Sequence, residues 1–396
     1  MDLTPTAQEE AFRQEVRSWL RANLPWEWGV GLPPKHDDLA DEVAFGREWQ
    51  AKLAAARLVG VAWPAEYGGR GAGPVEHYIV QEELARARAP EIVGRIGINL
   101  AAPTLMAHGT DEQKARWLPA ILDASVLFCQ LFSEPDAGSD LASLRTSAVR
   151  DDSGGGAGGW RLTGQKVWTS YAQFADWGIC LARSNPEAPK REGITFFVVD
   201  MHAPGVDVRP LVQLTGEAEF NEVFLDGVFV PDDQVVGPVD DGWRVASSTL
   251  SHERGTNPRQ LVIHCQLIEE LLRLALANGS YDDHRTQQRL MAAYVEVRLF
   301  RLHNWRSISR LAKGRDPGPE GSSLKLFWSE MSQRLHDVVL DVLGPAAPLW
   351  AGADGNPGNG AWQRSWLYYQ ASSIWAGTNE IQRTIVGERV LGLPRP

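Results

Sequence analysis

Residues 133–140 read Ser-Glu-Pro-Asp-Ala-Gly-Ser-Asp, and residues 372–383 read Ser-Ser-Ile-Trp-Ala-Gly-Thr-Asn-Glu-Ile-Gln-Arg. The first closes the apolar run VLFCQLFS (126–133), so it is expected to end a strand in a turn of small residues. Gly138 lets another group approach the backbone closely, and backbone N–H groups in such a turn can receive an anion. In the second stretch, Thr378 or Asn379 is placed to cap a helix carrying Ile381, Ile385 and Val386. The start of such a helix suits a phosphate group.

Outward from these two stretches, the texture of the chain changes twice. Residues 1–125 read as helical: Ala7, Phe12, Val16 and Leu20 mark one face of a first helix, and EVAFGREWQAKLAAARL and EHYIVQEELARA show similar spacing. From residue 126 the runs become short, rich in β-branched and aromatic residues, and separated by Gly, Pro, Asn and Asp. That texture predicts a small β-barrel or sandwich over 126–238. Beyond Pro238 the stretches 243–277, 282–312, 320–343 and 379–391 are apolar-periodic and predict a four-helix bundle over 239–396. The expected fold is therefore α+β and multi-domain: a helical N-terminal domain (1–125), a β module and a helical C-terminal domain.

The bulk numbers narrow the function. A length of 396 residues is ample for a large core. A net charge of −11 argues against binding nucleic acid or an anionic membrane surface. No apolar run reaches bilayer length. The N-terminus, MDLTPTAQEEAFRQEVRSWLRANLP, has neither the apolar stretch of a signal peptide nor the Arg/Ser bias of a transit peptide, so a cytoplasmic location is expected. Cys129, Cys180 and Cys265 form no CxxC pair, which fits free thiols in a reducing compartment. The histidines show no metal-ligand spacing, and no metal is expected.

Gly154, Gly156 and Gly159 fit GxGxxG, but a dinucleotide loop must follow a strand and open a helix. This run lies between two predicted strands and reads as a hairpin loop. There is no GxSxG and no P-loop, so hydrolase and nucleotidase chemistry lack support.

Taken with Gly164-Gln165-Lys166-Val167-Trp168-Thr169-Ser170, the two opening stretches resemble the flavin-binding and C-terminal signatures of the acyl-CoA dehydrogenase family. The resemblance extends over nearly the whole chain. It implies FAD as cofactor and α,β-dehydrogenation of an acyl-CoA thioester. It also implies an electron-transfer flavoprotein as acceptor and an oligomeric assembly: a homodimer or homotetramer, or a mixed oligomer with a related subunit. By the same resemblance, Phe132 and Ser133 meet the isoalloxazine, Gly138 and Ser139 the pyrophosphate, Trp168 the flavin face, and Ser170 its reactive nitrogen. Thr378 and Glu380 inherit contacts to the ADP moiety, while Trp375 and Gly377 border the acyl group.

The chain departs from the family pattern at informative places. The catalytic glutamate usually stands immediately before Gly-Thr, where this chain has Ala376. The backbone N–H of residue 376, which the family uses to polarise the thioester carbonyl, is retained. Some members carry the glutamate on a neighbouring helix before an arginine, and Glu253-Arg254 stands at the matching place. Glu253 is thus the expected base, with Arg254 beside the substrate. Burial against acyl chain and flavin is expected to raise the Glu253 pKa, which suits a general base. The family's Arg-x-x-Phe-Gly stretch is replaced by YDDHRTQQRLMAAY, with Arg285 or Arg289 as substitutes, and its Gln-x-x-Gly-Gly by Asp341-Val342-Leu343-Gly344-Pro345.

Overall fold

The computed structural model describes residues 5–30, 36, 38–152, 158–252, 257–315 and 318–394, and at 251, 252 and 320 the backbone alone. In chain order, α1 (Ala7–Asn23), α2 (Leu39–Ala55), α3 (Pro74–Arg86), α4 (Ala102–His108) and α5 (Asp111–Leu122) come first. Strands β1 (Phe128–Leu131), β2 (Ser147–Asp151), β3 (Gly159–Ser170), β4 (Trp177–Arg183), β5 (Ile194–Asp200), β6 (Val206–Leu211) and β7 (Phe220–Pro231) follow. The chain then returns to helix: α6 (Gly242–His252), α7 (Pro258–Asn278), α8 (His284–Leu311), α9 (Gly321–Leu343), α10 (Ala361–Gln370) and α11 (Asn379–Ile385). No helix among the described residues is long and apolar enough to cross a membrane.

These elements form two compact units. The helical unit takes residues 1–33, 73–89 and 254–396. Its core joins Leu261, Ile268 and Leu271 of α7 to Val297 and Phe300 of α8 and to Met331, Leu335 and Val339 of α9. Helix α1 starts at a reciprocal cap: the Glu9 N–H donates to the Thr6 hydroxyl at 3.2 Å, and the Thr6 N–H to the Glu9 carboxylate at 2.7 Å. The buried Glu83 of α3 fastens α1, accepting from Arg13 at 2.7 Å and from Arg17 at 2.9 Å.

The sheet unit takes residues 34–72 and 90–253. Its seven strands run in the order β1-β4-β2-β3-β7-β6, with β5 also paired to β4. β2 and β3 form an antiparallel hairpin closed by Asp151 opposite Gly159. The Gly154–Gly159 run thus belongs to a strand-to-strand connection, not to the start of a helix; its residues 153–157 lie outside the described chain. Every residue of β4 from Gly178 to Ala182 is buried, giving the continuous apolar run of a central strand. Helix α6 packs on β5, and a β-carbon at Gly242 would meet the Thr195–Phe196 backbone at 2.6–2.7 Å, so only glycine lets this helix start so near the sheet.

One expectation needs correction. The stretch 243–277 is not a single helix. α6 ends at His252, and α7 begins at Pro258, with the Asn257 side chain accepting the Gln260 N–H at 3.1 Å. Proline has no N–H to continue a helix but suits its first turn, so the apolar period runs through while the backbone does not.

Candidate functional site: a strained tryptophan strand and a left-handed turn

In the sheet unit, the 133–140 turn is held from beneath. The Ser133 carbonyl accepts the Val167 N–H at 2.9 Å, joining the turn to β3. Glu134 and Ala137 exchange backbone hydrogen bonds of 3.1 and 3.0 Å. The Glu134 carboxylate accepts from the Arg145 N–H (2.6 Å), the Thr146 N–H (2.9 Å) and Lys166 Nζ (2.8 Å). Lys166 is fully buried, and its ammonium also donates to the carbonyls of Phe132 (3.2 Å) and Leu181 (2.8 Å). Three donors meet three acceptors, the condition under which a buried charge is tolerated. Burial pushes the Glu134 carboxyl up, but the Lys166 charge and the hydrogen bonds outweigh it and hold it below the usual carboxylate range. Phe132 is buried edge-on against Phe196, with ring centroids 5.8 Å apart.

The outer side of the turn is open. Gly138 and Ser139 are exposed, and a β-carbon at Gly138 would meet nothing within 4 Å. Their N–H groups donate to no acceptor among the described residues.

Trp168 lies on β3 where pairing with β7 slips. Lys166 opposes Val223 and Thr169 opposes Asn221, so Val167 and Trp168 together face one residue, Glu222. Such a bulge bends a strand and re-aims a side chain. Trp168 takes φ +59°, a conformation that a bulky residue avoids at a cost of about 1–3 kcal/mol. Its indole is 61% exposed and touches the Phe220 ring edge-on at 6.1 Å. It is therefore not core. Ser170, half-buried, pairs with Phe220 at the end of the same strand. An exposed aromatic beside a turn with open amides matches the needs of a flavin ring and its pyrophosphate, so this unit's residues fit FAD.

In the helical unit, Ala376 and Gly377 both have positive φ, +52° and +85°. Thr378 caps α11, its hydroxyl accepting the Ile381 N–H at 3.3 Å. Of the two expected capping residues it is therefore Thr378, while Asn379 turns inward. There the Asn379 Oδ1 accepts from Ser329 at 2.8 Å and from Lys325 at 3.1 Å. Burial lowers the Lys325 ammonium to about 8, against the opposing pull of Glu380. Glu380 is exposed, 3.6 Å from Arg383. Trp375 tilts against Tyr368 at 5.0 Å. At the start of α8 Arg285 is exposed, whereas Arg289 is ion-paired with Asp341.

Glu253 and Arg254 lie outside the described residues. The helix before them, α6, is anchored in its own unit by the buried pair Thr104–Thr249, whose hydroxyls are 2.7 Å apart.

Sequence reasoning passed over three residues that hold these motifs: Glu134 and Lys166, a carboxylate and an ammonium that are both buried, and Gln382, fully buried behind the Ala376 turn. No local pattern marks the first two, since both stand in polar segments and only their burial shows that they must pair.

Three family models match the chain: the acyl-CoA dehydrogenase N-terminal domain over residues 6–125, the middle domain over 129–228 and the C-terminal domain over 240–391. Acyl-CoA dehydrogenase IpdE1 of Mycobacterium tuberculosis is 41% identical, covering 98% of both chains. Among solved structures, the Tcur3481-Tcur3483 steroid ACAD superposes with a TM-score of 0.84 at 29% identity and full coverage of both chains. The ChsE4-ChsE5 complex from Mycobacterium tuberculosis does so at 0.83 and 31% identity, again over all of both chains. With three matching domains and a relative 41% identical over nearly the whole chain, the chain belongs to the acyl-CoA dehydrogenase family of FAD-dependent oxidoreductases.

Proposed function

We propose that this chain desaturates an acyl-CoA thioester with Glu253 as the base that removes the α-proton and the Ala376 N–H as a donor to the thioester carbonyl. The observation that carries this reading is the left-handed Ala376-Gly377 turn. The family's usual carboxylate is missing there, yet the N–H groups of 376 and 377 donate to no acceptor among the described residues. A carboxylate alone is too weak a base for an α-C–H. A hydrogen bond to the developing oxyanion supplies about 3–4 kcal/mol in comparable enzymes. FAD, when bound, supplies the hydride acceptor. Trp168 and Ser133 cover and edge its ring system, Phe132 and Ser170 complete that contact, and Gly138 and Ser139 present N–H groups to its pyrophosphate. Thr378, Glu380 and Arg285 serve its ADP portion, Trp375 and Gly377 line the acyl group, and Arg254 flanks the base. The test is Glu253→Gln: flavin stays bound while turnover falls by about 10²–10⁴-fold. Turnover equal to the parent refutes the assignment.

We infer the substrate class from the relatives. One solved relative is a steroid ACAD, which supports a polycyclic, steroid-derived acyl group. Anaerobic bleaching of the flavin by straight-chain and steroid acyl-CoA thioesters tests this directly. The acceptor in this reading is an electron-transfer flavoprotein.

Assembly is supported by α8. Met291, Tyr294, Val295, Leu299 and Leu302 are exposed at helical spacing, while Leu290, Ala293, Val297 and Phe300 are buried on the opposite side. An apolar stripe on both faces is unexpected for a helix that meets water on one of them. A second subunit is the reading, either another copy or a related chain as in the paired Tcur3481-Tcur3483 and ChsE4-ChsE5 complexes. A mass measurement with and without a co-expressed relative distinguishes the two.

A further inference from the structure

The side chain of Gln382 is fully buried behind the Ala376 turn. Its Nε2 donates to two successive carbonyls, Ala376 at 3.0 Å and Gly377 at 3.2 Å. Its Oε1 has no partner among the described residues and is shielded from solvent. A buried acceptor left without a donor is unfavourable, so an amide at this position is not explained by packing alone. The arrangement makes sense only through what Nε2 holds.

In a trans peptide the C=O and the following N–H lie in one plane and point in opposite directions. Drawing the Ala376 and Gly377 carbonyls toward Gln382 therefore fixes the two peptide planes that follow Ala376, and the direction of Ala376's own N–H is then set through the φ and ψ of that one residue. Ala376, at φ +52°, is in a conformation that a residue with a β-carbon leaves readily unless held. A β-carbon at Gly377 would come within 2.7 Å of Nε2, so the clamp also requires glycine there. The inward Asn379, fixed by Ser329 and Lys325, anchors the same turn one residue past its cap.

We propose that Gln382 is a positioning residue for the thioester: by clamping the two carbonyls it holds the left-handed turn in which the Ala376 N–H faces the acyl carbonyl. It does not touch substrate; it acts through the backbone. This rests on the Ala376 N–H being the carbonyl's donor. The contribution is geometric, since hydrogen-bond strength falls steeply with misalignment.

The test uses the flavin-loaded holoenzyme and an acyl-CoA that bleaches the parent flavin, labelled with ¹³C at its carbonyl. Infrared difference spectra report how far the bound carbonyl is polarised. In Gln382→Leu we expect bound flavin at the parent level, kcat lower by roughly 10²-fold and KM within about threefold, as for loss of one oxyanion donor. The carbonyl band moves back toward its frequency in water. Gln382→Glu keeps the shape and, when protonated, one donor, so it recovers part of both the band shift and kcat. An unchanged band with kcat within about threefold of the parent in both variants overturns the proposal. Glu253→Gln separates the two assignments: it lowers turnover by about 10²–10⁴-fold while the band remains shifted. If the parent's own band does not shift on binding, the Ala376 donor and the clamp both fall.

Discussion

Lys166 Nζ lies 2.8 Å from Glu134 Oε1, and the pair ties the middle of β3 to the turn that presents Gly138 and Ser139. The lysine is fully buried and its three donors are all satisfied. A pair of this kind contributes little as a pair, but each member is indispensable once the other is present. Lys166→Met leaves Glu134 charged and unpaired and should destabilise the protein by about 3–5 kcal/mol. Glu134→Gln in the same chain should recover part of that loss. Thermal unfolding of the two variants, with flavin content measured alongside, checks both statements; equal stability of single and double variants would contradict them.

Trp168 gives the opposite prediction. Its indole is largely exposed and its φ is positive, so Trp168→Gly removes strain and almost no packing. Apoprotein stability should stay within about 1 kcal/mol of the parent or rise slightly, because glycine adopts this conformation freely. FAD affinity should fall by roughly 10-fold or more, on the scale of about 1–3 kcal/mol for a lost aromatic stacking contact. Urea unfolding and a fluorescence titration with FAD read the two effects separately.

Ala376 offers a gain-of-function test. It already occupies a left-handed conformation beside Gly377, so a longer side chain adds no new backbone strain. Ala376→Glu in a Glu253→Gln background should restore part of the lost turnover, within the roughly 10²–10⁴-fold range attributed to a positioned general base. Stopped-flow bleaching of the flavin is the measurement. No rescue, with flavin and substrate still bound, would place the carboxylate requirement elsewhere.

The helical unit contains a titratable core. His264 and His336 are both fully buried. Each Nδ1 faces a carbonyl, Gln260 and Ser332, at 2.7 Å, so it carries the proton; each Nε2 accepts from a serine hydroxyl, Ser332 and Ser365, at 2.8 Å. Burial lowers His264 to about 3, with His336 adding to it, and lowers His336 to about 4. Both stay neutral in the folded protein, while in the unfolded chain they take up protons below about 6.5. The unfolded state then binds more protons, so stability falls as pH drops from about 6.5 toward 4, by up to about 1.4 kcal/mol per pH unit for each histidine. Glu134, held below the usual carboxylate range, adds its own loss only at lower pH. His336→Phe keeps a ring against Tyr369, now stacked at 4.4 Å, and should reduce the slope between pH 6 and 5 by one histidine's share, up to about 1.4 kcal/mol per pH unit, leaving the share of the other burial-lowered histidines, His264, His77 and His303. Unfolding curves across that interval decide it.

The local chemistry was legible in the residues themselves. Phe12, Val16 and Leu20 mark one face of α1, Thr378 was one of the two expected caps of α11, and the β-branched and aromatic runs from 126 onward mark the strands, because caps, turns and side-chain periodicity act within a few positions of the chain. What escaped was everything set by partners distant in sequence. Pro258 broke a helix that the apolar period carried through, and the texture of residues 1–125 did not tell that α1 and α3 share a core with residues 254–396.

The sequence alone thus determined which elements form and which turns could meet a cofactor. Only tertiary structure decided that Trp168 is aimed outward, since its bulge exists only in the register of β3 against β7. Only tertiary structure likewise decided that Lys166 finds Glu134, 32 positions away along the chain. Burying a charge or an amide is favourable solely where folding brings the matching acceptors into reach, and no short stretch of chain contains that information.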